Sequence, residues 1–403
     1  MNPRYRARPL AVALALALAS AAVGCARADP AGPATTDNHL GLLISEGGDA
    51  GTLWLWDVGS GELRRLAPDH AVHACCFSPD GGRIAFTGER RARGGEFRGL
   101  ELWVLDLASE TVRQVTAGLW AGERNEIAWR PGTEQVAVAR AQRRDPEASL
   151  PDDGGLWLVD VQTGAMTSLI GPANADWPMC RHPRFSADGT MLATTRQGRY
   201  AAVLVVDQPE RWLRLDSPRH MNPEFLMDWA WRPDSQTLLL AATTAERRIG
   251  GPDGAQVRGP GGVWEWPLSE QWATTSPQLN GQEPSAQDDT AARPLFAQGT
   301  TVFAVAISND GARLAYVTPE GVWQRELESG SQRRLLALDM EEASELDAEW
   351  GAGLTLALLQ WSPDDRYIWA SPGDGASCVI DVAGGEVIPV PQAGREGAWR
   401  PEG

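Results

Sequence analysis

The sequence predicts an all-β fold of four-stranded antiparallel units, seven in number, closed into a ring, and three observations carry that expectation. A strand ending in a bulky residue and a tight polar turn recurs along the chain: FSPDG at 77–81, WRPG at 129–132, FSADG at 185–189, WRPD at 231–234, ISNDG at 307–311, WSPDD at 361–365 and WRPEG at 399–403. Proline fixes φ and glycine accepts positive φ, so these are sound turns. Each copy except the last leads into a second apolar run and then a pair of short strands joined by a polar turn, as in RIAF followed by ELWVLDLASETVRQVT at 101–116. The 18 Trp, more than the 7 Phe and 4 Tyr together, fall largely at two repeat positions. Trp129, Trp231, Trp361 and Trp399 stand at the strand-end anchor, and Trp54, Trp56, Trp103, Trp157, Trp264 and Trp323 in the third strand. A four-stranded meander cannot bury both faces alone, and circular stacking of such blades, a β-propeller, solves the problem.

Residues 1–24 read as an export signal: Arg4, Arg6 and Arg8 precede an Ala/Leu/Val-rich stretch too short for a stable membrane span. It ends in Ala22-Val23-Gly24-Cys25, which looks like a bacterial lipobox, with Ala22 where Leu is usual. That match implies lipidation of Cys25, cleavage before it and a lipoprotein anchored in the membrane by its acyl chains. Cleavage at an A-x-A-like site to give a secreted chain, and an uncleaved anchor, are the alternatives. Residues 25–38 are a Pro/Ala/Thr-rich tether, and 39–403 form one propeller domain. Ala26, where Asp would signal inner-membrane retention in many Gram-negative bacteria, points to an outer-membrane position facing the periplasm. In a Gram-positive cell the address becomes the outer face of the cell membrane.

The expected blades are 39–66 joined to 395–403, then about 70–118, 122–171, 178–216, 224–280, 299–337 and 355–392. The first unit lacks an opening strand and the last motif lacks anything after it, so the C-terminal strand completes the N-terminal blade. Removing the last nine residues is expected to open the ring. Six blades with an irregular remainder is the alternative, because the unit around 224–280 is atypical.

FSPDGGRIAF followed by ELWVLDLASETVRQVT resembles the WD40-like (PD40) repeats of the TolB-like β-propeller family, with weaker copies over about 39–403. The resemblance implies a propeller scaffold and a periplasmic or cell-envelope location. It carries little about activity, because the repeat serves binding proteins and the non-catalytic domains of peptidases.

Propeller geometry puts the turns between strands one and two, and three and four, on one face, where this sequence is short. The other face receives the insertions 88–99, 141–154, 244–261, 273–298 and 338–353. Binding on a rigid scaffold resides in such loops. Candidate binding-loop residues are Arg90, Arg91, Arg93 and Arg98 with Arg143 and Arg144, the one basic concentration, and Trp120 and Trp177 ahead of inner strands. Counting back from the anchors places His73, Glu126, His182, Asp228, Trp350 and Glu396 at the channel mouth. That polar ring suits a peptide segment, a small ligand or a cation, or else lines a water-filled channel.

The net charge of -17, near −20 once 1–24 are removed, argues against a nucleic-acid surface. No G-x-S-x-G elbow, phosphate loop or H-E-x-x-H motif occurs, so no catalytic residue, resident metal or cofactor is assigned. A metal site from His73 and His182 with Glu126 or Asp228 is a geometric possibility only. Cys75 and Cys76 point to opposite faces of one strand, so both cannot meet the same partner. Free thiols are favoured for some of these cysteines, while a bridge from one of them to Cys180 or Cys378 stays open. The expected function is a monomeric, non-enzymatic envelope lipoprotein that binds a protein or peptide through its long-loop face. The alternatives are an enzyme acting on a carbohydrate or peptide in the channel, and a passive structural component of an envelope complex.

Overall fold

The computed structural model describes residues 41–45, 51–91, 100–117, 127–140, 155–170, 180–196, 200–215, 226–246, 257–268, 293–297, 302–338, 358–371, 377–391 and 396–401. The regular elements among them are all strands, and they form seven four-stranded antiparallel sheets. The first combines β28 (Glu396–Trp399) with β1 (Gly41–Ser45), β2 (Leu53–Asp57) and β3 (Leu63–Leu66). The second runs β4 (His70–Phe77), β5 (Arg83–Arg90), β6 (Glu101–Asp106) and β7 (Val112–Gln114). The third holds β8 (Ile127–Trp129), β9 (Gln135–Arg140), β10 (Gly155–Asp160) and β11 (Met166–Ile170), and the fourth β12 (Cys180–Phe185), β13 (Met191–Arg196), β14 (Tyr200–Val205) and β15 (Gln208–Leu215). The fifth contains β16 (Leu226–Trp231), β17 (Thr237–Glu246), β18 (Val257–Pro267) and β19 (Arg293–Ala297). β20 (Ala304–Ile307), β21 (Arg313–Thr318), β22 (Gly321–Glu326) and β23 (Gln332–Ala337) make the sixth, and β24 (Leu358–Trp361), β25 (Tyr367–Ser371), β26 (Cys378–Asp381) and β27 (Val387–Pro389) the seventh. The inner strands touch in the cyclic order β28, β4, β8, β12, β16, β20, β24 and back to β28, which makes the architecture a propeller.

Strands form here because buried aliphatic and β-branched residues alternate with half-buried ones along them, and the core lies between sheets. Phe77, Ile84, Phe86 and Leu105 of the second sheet pack with Leu53 and Leu66 of the first. Val136, Val138 and Val159 of the third pack with Ala85, Leu102 and Val104 of the second.

The recurrent turn is a hydrogen-bonded unit. Ser78 Oγ donates to Asp80 Oδ1 at 2.5 Å and accepts from Arg83 N at 2.9 Å, while Gly82 N donates to the same carboxylate at 3.0 Å. Ser186–Asp188, Ser308–Asp310 and Ser362–Asp364 repeat the Ser-to-Asp bond. The serine bond holds the Asp80 and Asp310 carboxyls below the usual carboxylate range.

The turn's glycine position sits at φ 65° in Gly81, 69° in Gly189 and 72° in Gly311, against the preceding blade. A β-carbon on Gly81 would meet Pro401 O at 3.0 Å, and one on Gly189 would meet Pro131 O at 3.1 Å. Ser235 and Asp365 occupy the same position at φ 57° and 55° without being glycine. Both use the side chain that glycine lacks. Ser235 Oγ accepts from Asp188 N at 3.0 Å, and Asp365 accepts from Asn309 N, Asn309 Nδ2 and Asp310 N at 2.7, 2.8 and 3.0 Å.

Two expectations are corrected. The fifth blade does not end by 280: its fourth strand is β19, because the strand β18 stops at Pro267 and the polar SEQW that follows is not the usual short turn. The stretch from Leu268 to 292 therefore joins strands three and four and belongs to the short-turn end, so the insertions do not all fall on one face. Part of the 244–261 insertion is a strand ladder, with Ala245 opposite Arg258 and Glu246 opposite Val257.

Asp365→Gly removes three accepted hydrogen bonds and relieves one left-handed residue, and is expected to lower unfolding stability by about 1–2 kcal/mol. Ser235→Gly, losing one bond for the same relief, is expected to be neutral within about 0.5 kcal/mol. Urea denaturation of the two variants measures the difference.

Candidate functional site

Three inner strands carry a register break a few residues before their anchors: between Val72 and Ala74 in β4, Arg181 and Arg184 in β12, and Leu226 and Asp228 in β16. A bulge re-aims side chains and leaves a residue unpaired on the strand. The sequence-predicted mouth residues His73 and His182 are the bulged residues themselves, and His182 adopts φ 55°.

The break in β12 and β16 builds a charged cluster. Arg184 Nη2 lies 3.0 Å from Asp228 Oδ1, its Nη1 donates to the Trp229 carbonyl, and its guanidinium carbon stands 5.4 Å from the centre of the Trp229 ring. The His182 ring meets Trp229 edge to face at 6.1 Å. Asp228 Oδ2 accepts from Val305 N of β20 at 3.0 Å. Asp228 is buried. Burial pushes its carboxyl above the usual carboxylate range against the pull of Arg184, the Val305 and Trp229 backbone amides and His182. The structure thus brings His182 and Asp228 together and adds Arg184 and Trp229, which the sequence reading did not place there. The carboxylate ties the fourth, fifth and sixth blades through their inner strands.

The remaining predicted residues separate. His73 is buried on β4, away from this cluster, and its Nε2 has no hydrogen-bond partner among the described residues. Glu396 begins β28, with its side chain outside the described residues, as Glu126 and Trp350 are entirely. Among the described residues no group of three His, Cys, Asp or Glu comes together as a metal site.

Cys76 is a free thiol, and the Cys180 side chain lies outside the described residues. Burial pushes the Cys76 thiol up to about 12, against a backbone hydrogen bond from Trp129, so it holds no thiolate for nucleophilic work.

Of the binding-loop residues, Arg93, Arg98, Trp120, Arg143, Arg144 and Trp177 lie outside the described residues. Arg91 Nε donates to His70 O at 2.9 Å and its Nη2 to Gly51 O at 3.1 Å, which pins the end of β5 to the first blade. Arg90 closes β5 opposite His70 and is exposed beside a groove. His70 escaped the sequence reading because it sits in no repeat position, and only the fold brings the β3–β4 link against β6.

Asp228→Ala leaves the Arg184 guanidinium and the Val305 amide without their partner and is expected to cost about 3 kcal/mol. Asp228→Asn keeps one carbonyl-type acceptor and is expected to cost about half of that. Denaturant unfolding of both variants, with the slope checked for two-state behaviour, reads the difference.

No protein-family model matches the chain, and no curated protein matches it in sequence. Solved structures do match in fold. The tricorn protease aligns with a TM-score of 0.55 at 11% identity over 90% of this chain and 34% of that one, so this chain spans about a third of that protein's length. A functionally unknown protein from Desulfotomaculum acetoxidans aligns with a TM-score of 0.54 at 12% identity, over 91% of this chain and 100% of that one. At these identities the likeness establishes a β-propeller and carries no activity with it.

Proposed function

We propose that this chain is a seven-bladed, TolB-like propeller lipoprotein of the cell envelope, anchored through Cys25. In this reading it is a monomeric, non-enzymatic scaffold whose long-loop face binds an envelope protein or peptide. The observation that carries this reading is the difference between the two ends of the ring. At the short-turn end the polar groups are spent on neighbouring turns: Arg130 Nε donates to Gly189 O, Arg400 Nε to Gly81 O, and Asp365 and Ser235 accept from the turn behind them. Arg83 and Glu134 add a bidentate pair at 2.6 and 2.7 Å between the second and third blades.

The opposite end receives the 88–99 insertion, with four Arg against two Glu, and the 141–154 insertion, which carries Arg143 and Arg144, and the second- and third-strand ladders of the fifth blade extend toward it. Apart from the 268–292 link, which leaves from the tied end, the insertions gather at the opposite end, where loops on a rigid scaffold serve recognition. The mouth residues favour the same reading over channel catalysis, because Asp228 is already engaged by Arg184 and by two backbone amides.

Cys25→Ala is expected to move the protein from the membrane to the soluble fraction and to abolish acyl-chain labelling. Shortening 88–99 and 141–154 together is expected to remove the partner captured from envelope extract while the melting temperature stays within about 2 °C. Unchanged membrane partition would reject the anchor, and unchanged capture would reject the face.

A further inference from the structure

A groove of about 450 Å³ opens between the first and second blades, within the range of roughly 300–1,000 Å³ typical of small-molecule sites. Leu66 of β3 and Trp103, Leu105 and Val112 of the second blade give it an apolar wall, and Arg65 and Arg90 stand along it. Both arginines are exposed, so their guanidinium groups reach solvent and ligand alike.

The residue that needs explaining is His70. It lines the groove at 7% exposure, and neither ring nitrogen has a hydrogen-bond partner among the described residues. Its ring meets Trp103 edge to face at 4.5 Å and Phe86 at 5.6 Å. Trp103 is fixed in turn by donating from Nε1 to Gly88 O at 3.0 Å. Leaving a buried polar atom unpaired is costly, and a ligand filling the groove removes that cost. Burial, and then the charge of Arg90, lower the pKa of His70, with Arg91 acting the same way and Asp69 opposing them. The imidazole is therefore neutral near pH 7 and offers one N–H. Of the two acids along the groove, Glu110 is neutralised by Arg64 at 3.1 Å, which leaves Asp69 against Arg65 and Arg90.

We propose that this groove binds a small organic anion, one carboxylate on an apolar body the size of an aromatic ring. The carboxylate takes the His70 N–H and the Arg90 and Arg65 guanidinium groups, and the body lies along Trp103, Leu105 and Val112. Arg90 stands at the edge of the 88–99 insertion, so the groove borders the long-loop face, yet it does not depend on the partner-binding reading: shortening the loop beyond Arg91 tests one, and the probes below test the other.

Calorimetric titration of the full chain with hydrocinnamate, its amide hydrocinnamide, phenethylamine and acetate separates the contributions of charge and body. Hydrocinnamate is expected to bind, the amide and acetate at least about tenfold more weakly, and the cationic amine not at all. Arg90→Gln and Arg65→Gln alter exposed side chains, so folding is retained, and each is expected to weaken hydrocinnamate about tenfold. His70→Phe, checked for folding by circular dichroism, is expected to weaken it comparably. No heat with hydrocinnamate, equal affinity for the amide, or indifference to both arginine substitutions would overturn the proposal.

Discussion

At three blade junctions the tie that holds the ring is a hydrogen bond from an anchor indole to the blade behind it. Trp231 Nε1 donates to Arg184 O at 2.8 Å, Trp361 Nε1 to Ala306 O at 3.2 Å and Trp399 Nε1 to Gln360 O at 3.1 Å. In each case the acceptor is the carbonyl one residue before the preceding blade's own anchor. Each bond is worth only about 1 kcal/mol, but it fixes the orientation of an aromatic that buries some 150–250 Å² between blades. The arginine that follows the indole works in the opposite direction. Arg130 and Arg400 reach forward to the turn glycine of the next blade, and at Trp399–Arg400 the two ties meet. That one motif joins the seventh blade to the first through Gln360, the first to itself through Gly41, and the first to the second through Gly81.

Alternating backward and forward ties explain why the turn sequence varies less in function than in letters. At Gly81 and Gly189 the turn carbonyl accepts from an arginine of the preceding blade, and the missing β-carbon lets a proline carbonyl approach closely. Where the turn residue is Ser235 or Asp365, the left-handed backbone remains and the side chain supplies the acceptor instead. Both solutions satisfy the same requirement, that the short-turn end leave few polar groups without a neighbour.

The recurrence of anchor, turn and paired strands was legible because each feature is local: a strand end, a proline-fixed φ and a two-residue alternation. Closure through β28 was legible for the same reason, since a lone opening strand and a blade lacking one are visible in the letters alone. The fourth strand of the fifth blade was not, because Arg293–Ala297 has no periodic signature strong enough to outweigh the 25 residues that separate it from β18. The mouth residues were legible only in part. Register counting selected Asp228 and His182, but a bulge changes which way each neighbour points, and Arg184 enters only because β12 breaks its ladder two residues earlier.

Asp228 and His70 show how the same chemistry divides into scaffold and site. Both are buried polar side chains on inner strands, His70 in the second blade and Asp228 in the fifth, and a count of burial alone would treat them alike. The Asp228 carboxylate is surrounded by a guanidinium and backbone amides, so any ligand would have to displace interactions that hold three blades together. The His70 imidazole has none of these, beside a groove with cationic and aromatic walls. Saturation is therefore the better criterion: a satisfied polar group reports how the ring is held, whereas an unsatisfied one beside open volume reports where the molecule has room for something else.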